Sequence, residues 1–400
     1  FGSLGDLTLT SGREVDEGFP GLEEFDALVI RSVTKVTAAL VDRAVRARFI
    51  GTATIGTDHI DVGYICEANG RRENPVTVAS APGSNADSVA DYVWFALACL
   101  TCGSAEPLGR MSLGVIGHGN CGSRVAGRAE GFGMRVLRCD PPLAEGDPAF
   151  GSDALEDAIR ADFVTLHVPL TREGESRYPT YHMMGAEQIA QMKPTAYLFN
   201  MSRGAVVDSA ALVDALRDGR IAGAVLDVYE GEPEPAEELV GLPVLATPHI
   251  AGYAIEAKRR GAAVIYEKMC RALAAEAQDT GALLMRGFEP EVGVTVGFDA
   301  PGAADVAADA AVRSLLGRIH DIRATSDELK ATSSSARRGE LFDRMRRNYE
   351  KDYGRHELSV YRVGFHRSVP AKLCAEIGRR LAGFGIRVVD QDANYVLVVR

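Results

Sequence analysis

The chain has 400 residues, more than one ordinary hydrophobic core organises, so two or three domains are expected. With 46% apolar and 25% charged residues it reads as globular, neither disordered nor fibrous. Its formal charge of −11 argues against a general nucleic-acid binder, which needs a basic face, but leaves room for a small anionic ligand gripped by a few arginines.

From about residue 25 onward, short β-rich runs alternate with amphipathic helical patterns. "FDALVIR" (25–31), "RFIGTATI" (48–55) and "VTVASAP" (76–82) read as strands. The segment 84–103 is a long apolar helix suited to joining two lobes. Its strongest apolar run, 93–102, is half the ~20 residues a membrane span requires, so it is expected to be buried in the protein and no membrane partner is expected. Six further strands follow at 112–119, 134–140, 162–169, 195–202, 222–228 and 243–249, several of them near-continuous apolar runs typical of parallel strands covered on both faces. A helix over 208–218 is opened by Asp208 as N-cap and closed by Gly219. A second long helix, 255–275, could return to the first lobe. After residue 285 the texture changes to an Ala/Gly/Asp-rich stretch, a charged helix at 337–351 and a βαβ-like ending with "ELSVYRV", "IRVVD" and "YVLVV". The alternation predicts an α/β doubly wound fold with a separate C-terminal domain.

Seven scattered cysteines, an odd number, suit reduced thiols in a cytoplasm better than a disulfide framework. Cys99 and Cys102 form a C-x-x-C without a second pair or nearby histidine, which favours core packing over zinc, and no metal site is expected. No secretory leader is visible.

Gly117, Gly119 and Gly122 form G-x-G-x-x-G directly after a strand and at the start of a helical pattern. The first glycine permits the tight turn, the second lets a pyrophosphate approach the backbone, and the third lets helix and strand pack closely. Asp140, which ends the next strand, is placed to accept hydrogen bonds from the adenosine ribose and to repel a 2′-phosphate, so NAD is expected rather than NADP. His118 within the loop reads as exposed and incidental.

Three later strand ends carry the remaining chemistry. "NMSRGAVVD" (200–208) places Arg203 at a strand-to-helix turn, where a guanidinium grips a carboxylate with two prongs. "LDVYEGEP" (226–233) supplies Asp227 and Glu232, and "TPHIAGY" (247–253) supplies His249. A lone histidine near a strand end is usually structural. An Arg, a Glu and a His at the carboxyl ends of parallel strands beside a dinucleotide site suit hydride transfer at a hydroxyl-bearing carbon instead. His249 would take the hydroxyl proton, Glu232 would orient the ring and favour its protonated form, and Arg203 would anchor the carboxylate and polarise the developing carbonyl.

This set resembles the D-isomer-specific 2-hydroxyacid dehydrogenases, whose catalytic order Arg, Glu, His matches Arg203, Glu232 and His249. "RSVTKV" (31–36), "GTATIGTDHID" (51–61), "SAPGSNADSVADYV" (80–93), "CDPP" (139–142) and "FDRMRRNY" (342–349) narrow the likeness to one branch of that family. The resemblance implies a Rossmann-like NAD domain over 84–252 and a flavodoxin-like substrate (lid) lobe over 1–83 plus 253–284. It also implies a C-terminal α+β domain over 285–400 that makes a homodimer. It implies NAD-dependent oxidation of 4-phospho-D-erythronate to 2-oxo-3-hydroxy-4-phosphobutanoate in the vitamin B6 pathway. Ser32, Thr54 and Tyr253 would contact the substrate, and Asn120, Cys121, Val168, Met201, Ser202, Arg203, Asp227 and Gly252 would join Gly117, Gly119, Gly122 and Asp140 around NAD. Arg31 and Lys35 could offset the substrate phosphate. Two other readings stay open: a relative acting on 3-phosphoglycerate or hydroxypyruvate, and a catalytically idle NAD-sensing dimeric scaffold. The family opens with a short strand and helix that this chain, starting at Phe1, lacks, so a truncated sequence with an exposed "FDALVIR" edge is expected.

Overall fold

A computed structural model describes residues 1–2, 4–277, 279, 292–296, 304–365 and 369–388. The chain divides into two compact units, Phe1–Asn85 with Ile255–Glu289 and Ala86–Ala254 with Pro290–Arg400.

The first unit is built on a parallel three-stranded sheet in the order β1 (Ala27–Ile30), β2 (Phe49–Thr52), β3 (Thr77–Ala79). The central strand β2 is buried at every position, as a strand covered on both faces must be. Leu22, Leu40, Ile50 and Ile65 fill one face, while Phe49 packs with Ile265 and Met269 of the helix Ile255–Ala272 on the other. Arg72, given no role from the sequence, is structural. Its guanidinium donates to the carbonyls of Val41 (2.9 Å), Ala44 (2.6 Å) and Ala47 (3.3 Å), closing the C-terminal end of the helix Ala38–Arg43.

The second unit holds a six-stranded parallel sheet of β4 (Ser112–Ile116), β5 (Arg135–Cys139), β6 (Phe163–Leu166), β7 (Tyr197–Asn200), β8 (Gly223–Leu226) and β9 (Leu245–Ala246). Their order is β5-β4-β6-β7-β8-β9, so the winding reverses between β4 and β6. Ligands of open α/β sheets bind at that switch point, beyond the carboxyl ends of the strands. All six coincide with the runs expected from the sequence. The helix Ser209–Arg217 is capped as expected, Asp208 accepting from the N–H groups of Ala210 and Ala211.

The helix Ala86–Leu100 is buried almost all round, its apolar residues serving as the pillar of the unit. Trp94 stacks on Phe132 (4.7 Å) and meets Phe384 edge-on (5.2 Å), joining the β4–β9 layer to the C-terminal segment in one core. That segment contributes a second parallel sheet, β10 (Val292–Val296), β11 (Tyr361–Phe365) and β12 (Arg387–Val388), with helices Ala304–Ile319, Ile322–Lys330 and Arg338–Tyr353 between β10 and β11. Strand β10 was not foreseen: "VGVTV" is short and interrupted by glycine. The expected strand "YVLVV", and with it the α+β class expected of this segment, lies outside the described residues. Cys99 is half-buried but Cys102 is exposed, so only the first of the pair packs as expected; all seven cysteines are free thiols. No helix among the described residues is long and apolar enough to cross a membrane.

Candidate active site

The glycine loop follows β4. Gly117 has φ +89°, a left-handed conformation that costs glycine nothing, and a Cβ there would come within 2.7 Å of the His167 carbonyl. A Cβ on Gly122 would collide with the carbonyl of Gly117, whereas one on Gly119 would meet nothing within 4 Å. Two glycines therefore close the turn while the third keeps backbone open to a ligand. The helix Asn120–Gly131 starts at that opening with no side chain capping it, so its first N–H groups remain for an anion. The cradle fits a pyrophosphate.

Asp140 holds the rim of this cradle. One carboxylate oxygen accepts from the His118 N–H (2.7 Å) and the other from the Leu143 N–H (3.0 Å), tying the glycine loop to the end of β5. His118 is not exposed as expected: it is half-buried, its ring stacked on Phe150 at 5.1 Å, and burial pulls its pKa down. Val168, just past β6, has Cγ1 2.9 Å from where a Gly117 Cβ would sit. Burial pushes the Cys121 thiol up to about 11, opposed by the charges of Arg124 and, more weakly, Arg203.

Two residues that sequence reasoning passed over shape the Arg203 turn. The buried side chain of Asn200 accepts from the Ser202 N–H (3.1 Å) and hydroxyl (2.8 Å), and donates to the Arg203 carbonyl (2.9 Å), fixing Met201–Arg203 around itself. The Arg203 Nη1 donates to the Ser202 carbonyl at 2.8 Å. Gly204 then sits so close to the backbone of Tyr229 and Glu230 that any Cβ would collide, which brings the Arg203 turn against the loop carrying Glu232. His182, from a stretch assigned no chemistry, braces the same loop through Glu230 at 2.8 Å.

Asp227 organises the other half. It is 1% exposed, and its oxygens accept from the Thr247 hydroxyl (2.7 Å) and the N–H groups of Ile250 (2.7 Å) and Ala251 (2.8 Å). Burial raises its pKa, opposed by the charge of His249 and by those three hydrogen bonds. The carbonyls of the same two residues are taken by the buried guanidinium of Arg355, which also donates to Ser88. The loop is thus gripped on its donors and on its acceptors. His249, one residue upstream, adopts φ +57°, strained for a residue with a side chain. Its Nδ1 lies 2.8 Å from Glu232 Oε2, while Glu232 Oε1 accepts from the Tyr229 N–H at 2.9 Å. Burial works to raise the Glu232 pKa, but the adjacent His249, its hydrogen bond, the Tyr229 N–H and the nearby Arg346 outweigh it and hold the carboxyl below its ordinary value. The pairing leaves the imidazole Nε2 as the basic nitrogen.

In the first unit, Ser32 and Thr54 each lie two residues past the carboxyl ends of the neighbouring strands β1 and β2. The Thr54 hydroxyl shares a hydrogen bond with Thr52 (2.6 Å), which in turn bonds His59 Nε2 (3.0 Å). Arg31 is half-buried and Lys35 exposed. Tyr253 belongs to the second unit and accepts from Arg346 Nε at 3.0 Å.

Residues 101–251 match the family model described as D-isomer specific 2-hydroxyacid dehydrogenase, NAD binding domain. The erythronate-4-phosphate dehydrogenase of Aeromonas hydrophila subsp. hydrophila is 42% identical over 364 residues, 90% of each chain. The chain belongs to the erythronate-4-phosphate dehydrogenase family of D-isomer-specific 2-hydroxyacid dehydrogenases. The enzyme of that name from Salinibacter ruber is 45% identical over 286 residues, 70% of each chain. Among solved structures, D-lactate dehydrogenase from Aquifex aeolicus, complexed with NAD and lactic acid, matches with a TM-score of 0.53 and 27% identity, covering 68% of this chain and 88% of that one. As a member of this dehydrogenase family the chain is an NAD-dependent oxidoreductase, and its glycine cradle lies within the matched NAD-binding domain.

The role of Asp227 is testable. Asp227→Asn turns one oxygen into a donor facing a backbone N–H, that of Ile250 or that of Ala251, and an unmatched buried donor costs about 1–3 kcal/mol. Turnover of the variant should fall at least about tenfold, because the His249 loop loses its anchor. Steady-state kinetics and a thermal melt of the same preparation check it.

Proposed function

We propose that this dehydrogenase oxidises 4-phospho-D-erythronate to 2-oxo-3-hydroxy-4-phosphobutanoate with NAD, a step of vitamin B6 biosynthesis. The observation that carries the reading is the 2.8 Å bond from Glu232 Oε2 to His249 Nδ1, which turns the opposite ring nitrogen into a proton acceptor. NAD, when bound, supplies the hydride acceptor. His249 takes the hydroxyl proton at Nε2, and Glu232, kept ionised by its surroundings, stabilises the imidazolium that results. Arg203 holds the substrate carboxylate in a fork and polarises the carbonyl oxygen as it forms. Gly117, Gly119, Asn120, Cys121 and Gly122 line the pyrophosphate, with Asp140 on the ribose. Val168, Met201, Ser202, Asp227 and Gly252 form the rest of the NAD site.

Ser32, Thr54 and Tyr253 are assigned to the substrate, and Arg31 and Lys35 to its phosphate. The substrate lobe comprises 1–83 with 253–284, the NAD domain 84–252, and a dimerisation domain 285–400 that makes a homodimer. The free thiols suit a reducing cytoplasm. The names borne by relatives matched over nine-tenths of both chains support the substrate, and the Glu232–His249 pair supports the chemistry.

The direct test is NADH formation with 4-phospho-D-erythronate against 3-phosphoglycerate, and NADH consumption with hydroxypyruvate. The proposal expects kcat/KM for 4-phospho-D-erythronate to exceed the others by at least about tenfold. Preference for 3-phosphoglycerate would overturn the substrate, and absence of turnover with every acid would favour the idle scaffold. His249→Asn should lower kcat by about 10²–10⁴-fold, the span of general-base catalysis, while NAD affinity, read by fluorescence titration, stays within a few-fold.

A further inference from the structure

The helix Arg338–Tyr353 lies along the two loops that carry Glu232 and Tyr253. Arg338 Nε donates to the Pro235 carbonyl (2.6 Å), a Cβ on Gly339 would sit 3.5 Å from the Pro233 carbonyl, and the Phe342 ring meets Tyr229 edge-on at 5.8 Å. Positions 338, 342 and 346 recur at a spacing of four and share one helix face, so these contacts fix where Arg346 points. Its side chain is 16% exposed. Nε donates to the Tyr253 hydroxyl at 3.0 Å, the guanidinium carbon lies 5.7 Å from that ring's centre, and Nη1 stands 4.0 Å from Glu232 Oε2.

That carboxylate oxygen is the one bonded to His249 Nδ1. At 4.0 Å the guanidinium does not take the lone pair that the imidazole uses, yet it adds a positive charge in a poorly solvated place, where Coulomb forces are weakly screened. The same side chain fixes Tyr253 as an acceptor. We propose that Arg346 is a positioning residue of the reaction: delivered by the C-terminal segment, it bridges Glu232 and Tyr253 and, by its charge, keeps the imidazole of the Glu232–His249 pair in its neutral, proton-accepting form. The inference rests on the reading of His249 as the base.

The groups facing the pair are Asp227 and the Tyr229 N–H from the loop after β8, Tyr253 from the loop after β9, and Arg346 from the helix. Arg355, on the carbonyls of Ile250 and Ala251, and Arg203, on the turn packed against the Glu232 loop, are further cations nearby that every variant keeps; of the groups facing the pair, Arg346 is the cation beside Glu232 Oε2. Its removal makes protonation of the pair easier, so activity that needs the neutral imidazole should require higher pH. For one charge at this range the displacement is about half to one pH unit. Arg346→Lys keeps the charge but not the planar fork that reaches Tyr253.

The experiment compares wild type, Arg346→Met and Arg346→Lys of the full chain. It reads kcat/KM against pH for oxidation of 4-phospho-D-erythronate and, without cofactor, proton uptake by the pair through the His249 ring protons in NMR. The proposal expects both readouts of Arg346→Met to move upward by about half to one unit. Arg346→Lys should stay near the wild-type position while its KM rises. Arg346→Gln replaces the Met variant if the latter does not bind NAD. Superimposable profiles for wild type and the neutral variant would overturn the assignment, as would a lysine variant displaced as far as the neutral one, which would mark a structural role alone. A wild-type profile with no acid limb would overturn the reading of His249 itself, and the inference with it.

Discussion

The site hangs on a buried carboxylate. Asp227 is enclosed by protein, and such a group is costly unless its lone pairs are filled. Here they accept from one hydroxyl and two consecutive backbone N–H groups, those of Ile250 and Ala251. The neighbouring His249 sits in left-handed backbone, which costs an L-residue roughly 1–2 kcal/mol, and persists because the following two residues are held on both sides. Without that grip the imidazole has no fixed direction, and the bond to Glu232 has no reason to form at 2.8 Å.

The other side of the grip comes from more than a hundred positions downstream. Arg355 takes the carbonyls of Ile250 and Ala251 as Asp227 takes their N–H groups. A buried cation and a buried anion on opposite sides of one short backbone segment offset part of each other's burial cost. The C-terminal segment is thereby joined to the chemistry as well as to the core: Phe384 packs on Trp94, Phe342 on Tyr229, and Arg346 reaches Glu232. In a chain of net charge −11, Arg346 stands beside the Glu232 carboxylate and Arg355 on the loop that Asp227 holds, cations placed where carboxylates need balancing.

Much of this was legible in the residues alone. The strands of both major sheets were readable because parallel strands are apolar on both faces, and the glycine loop because its spacing has one economical explanation. The placing of Glu232 and His249 followed from a rule about strand ends, and the structure brings them into contact. What escaped was long-range. Nothing local in "FDRMRRNY" says that its second arginine approaches a carboxylate over a hundred residues earlier. Asn200 and Gly204 looked like ordinary strand-end residues, and their work depends on backbone coming close from another loop. Asp227 reads from the sequence only as a cofactor-site residue; that its oxygens also hold the histidine loop depends on backbone more than twenty residues away. Strand β10 was missed because "VGVTV" is short and interrupted by glycine.

The central claim is that the Asp227-held loop presents His249 with Nδ1–H on Glu232 and Nε2 bare. The nitrogen-15 NMR spectrum of the imidazole in the full chain, recorded with NAD above the acid limb of activity, reports the tautomer directly. The account predicts a protonated Nδ1 and an unprotonated Nε2; the opposite tautomer would contradict it.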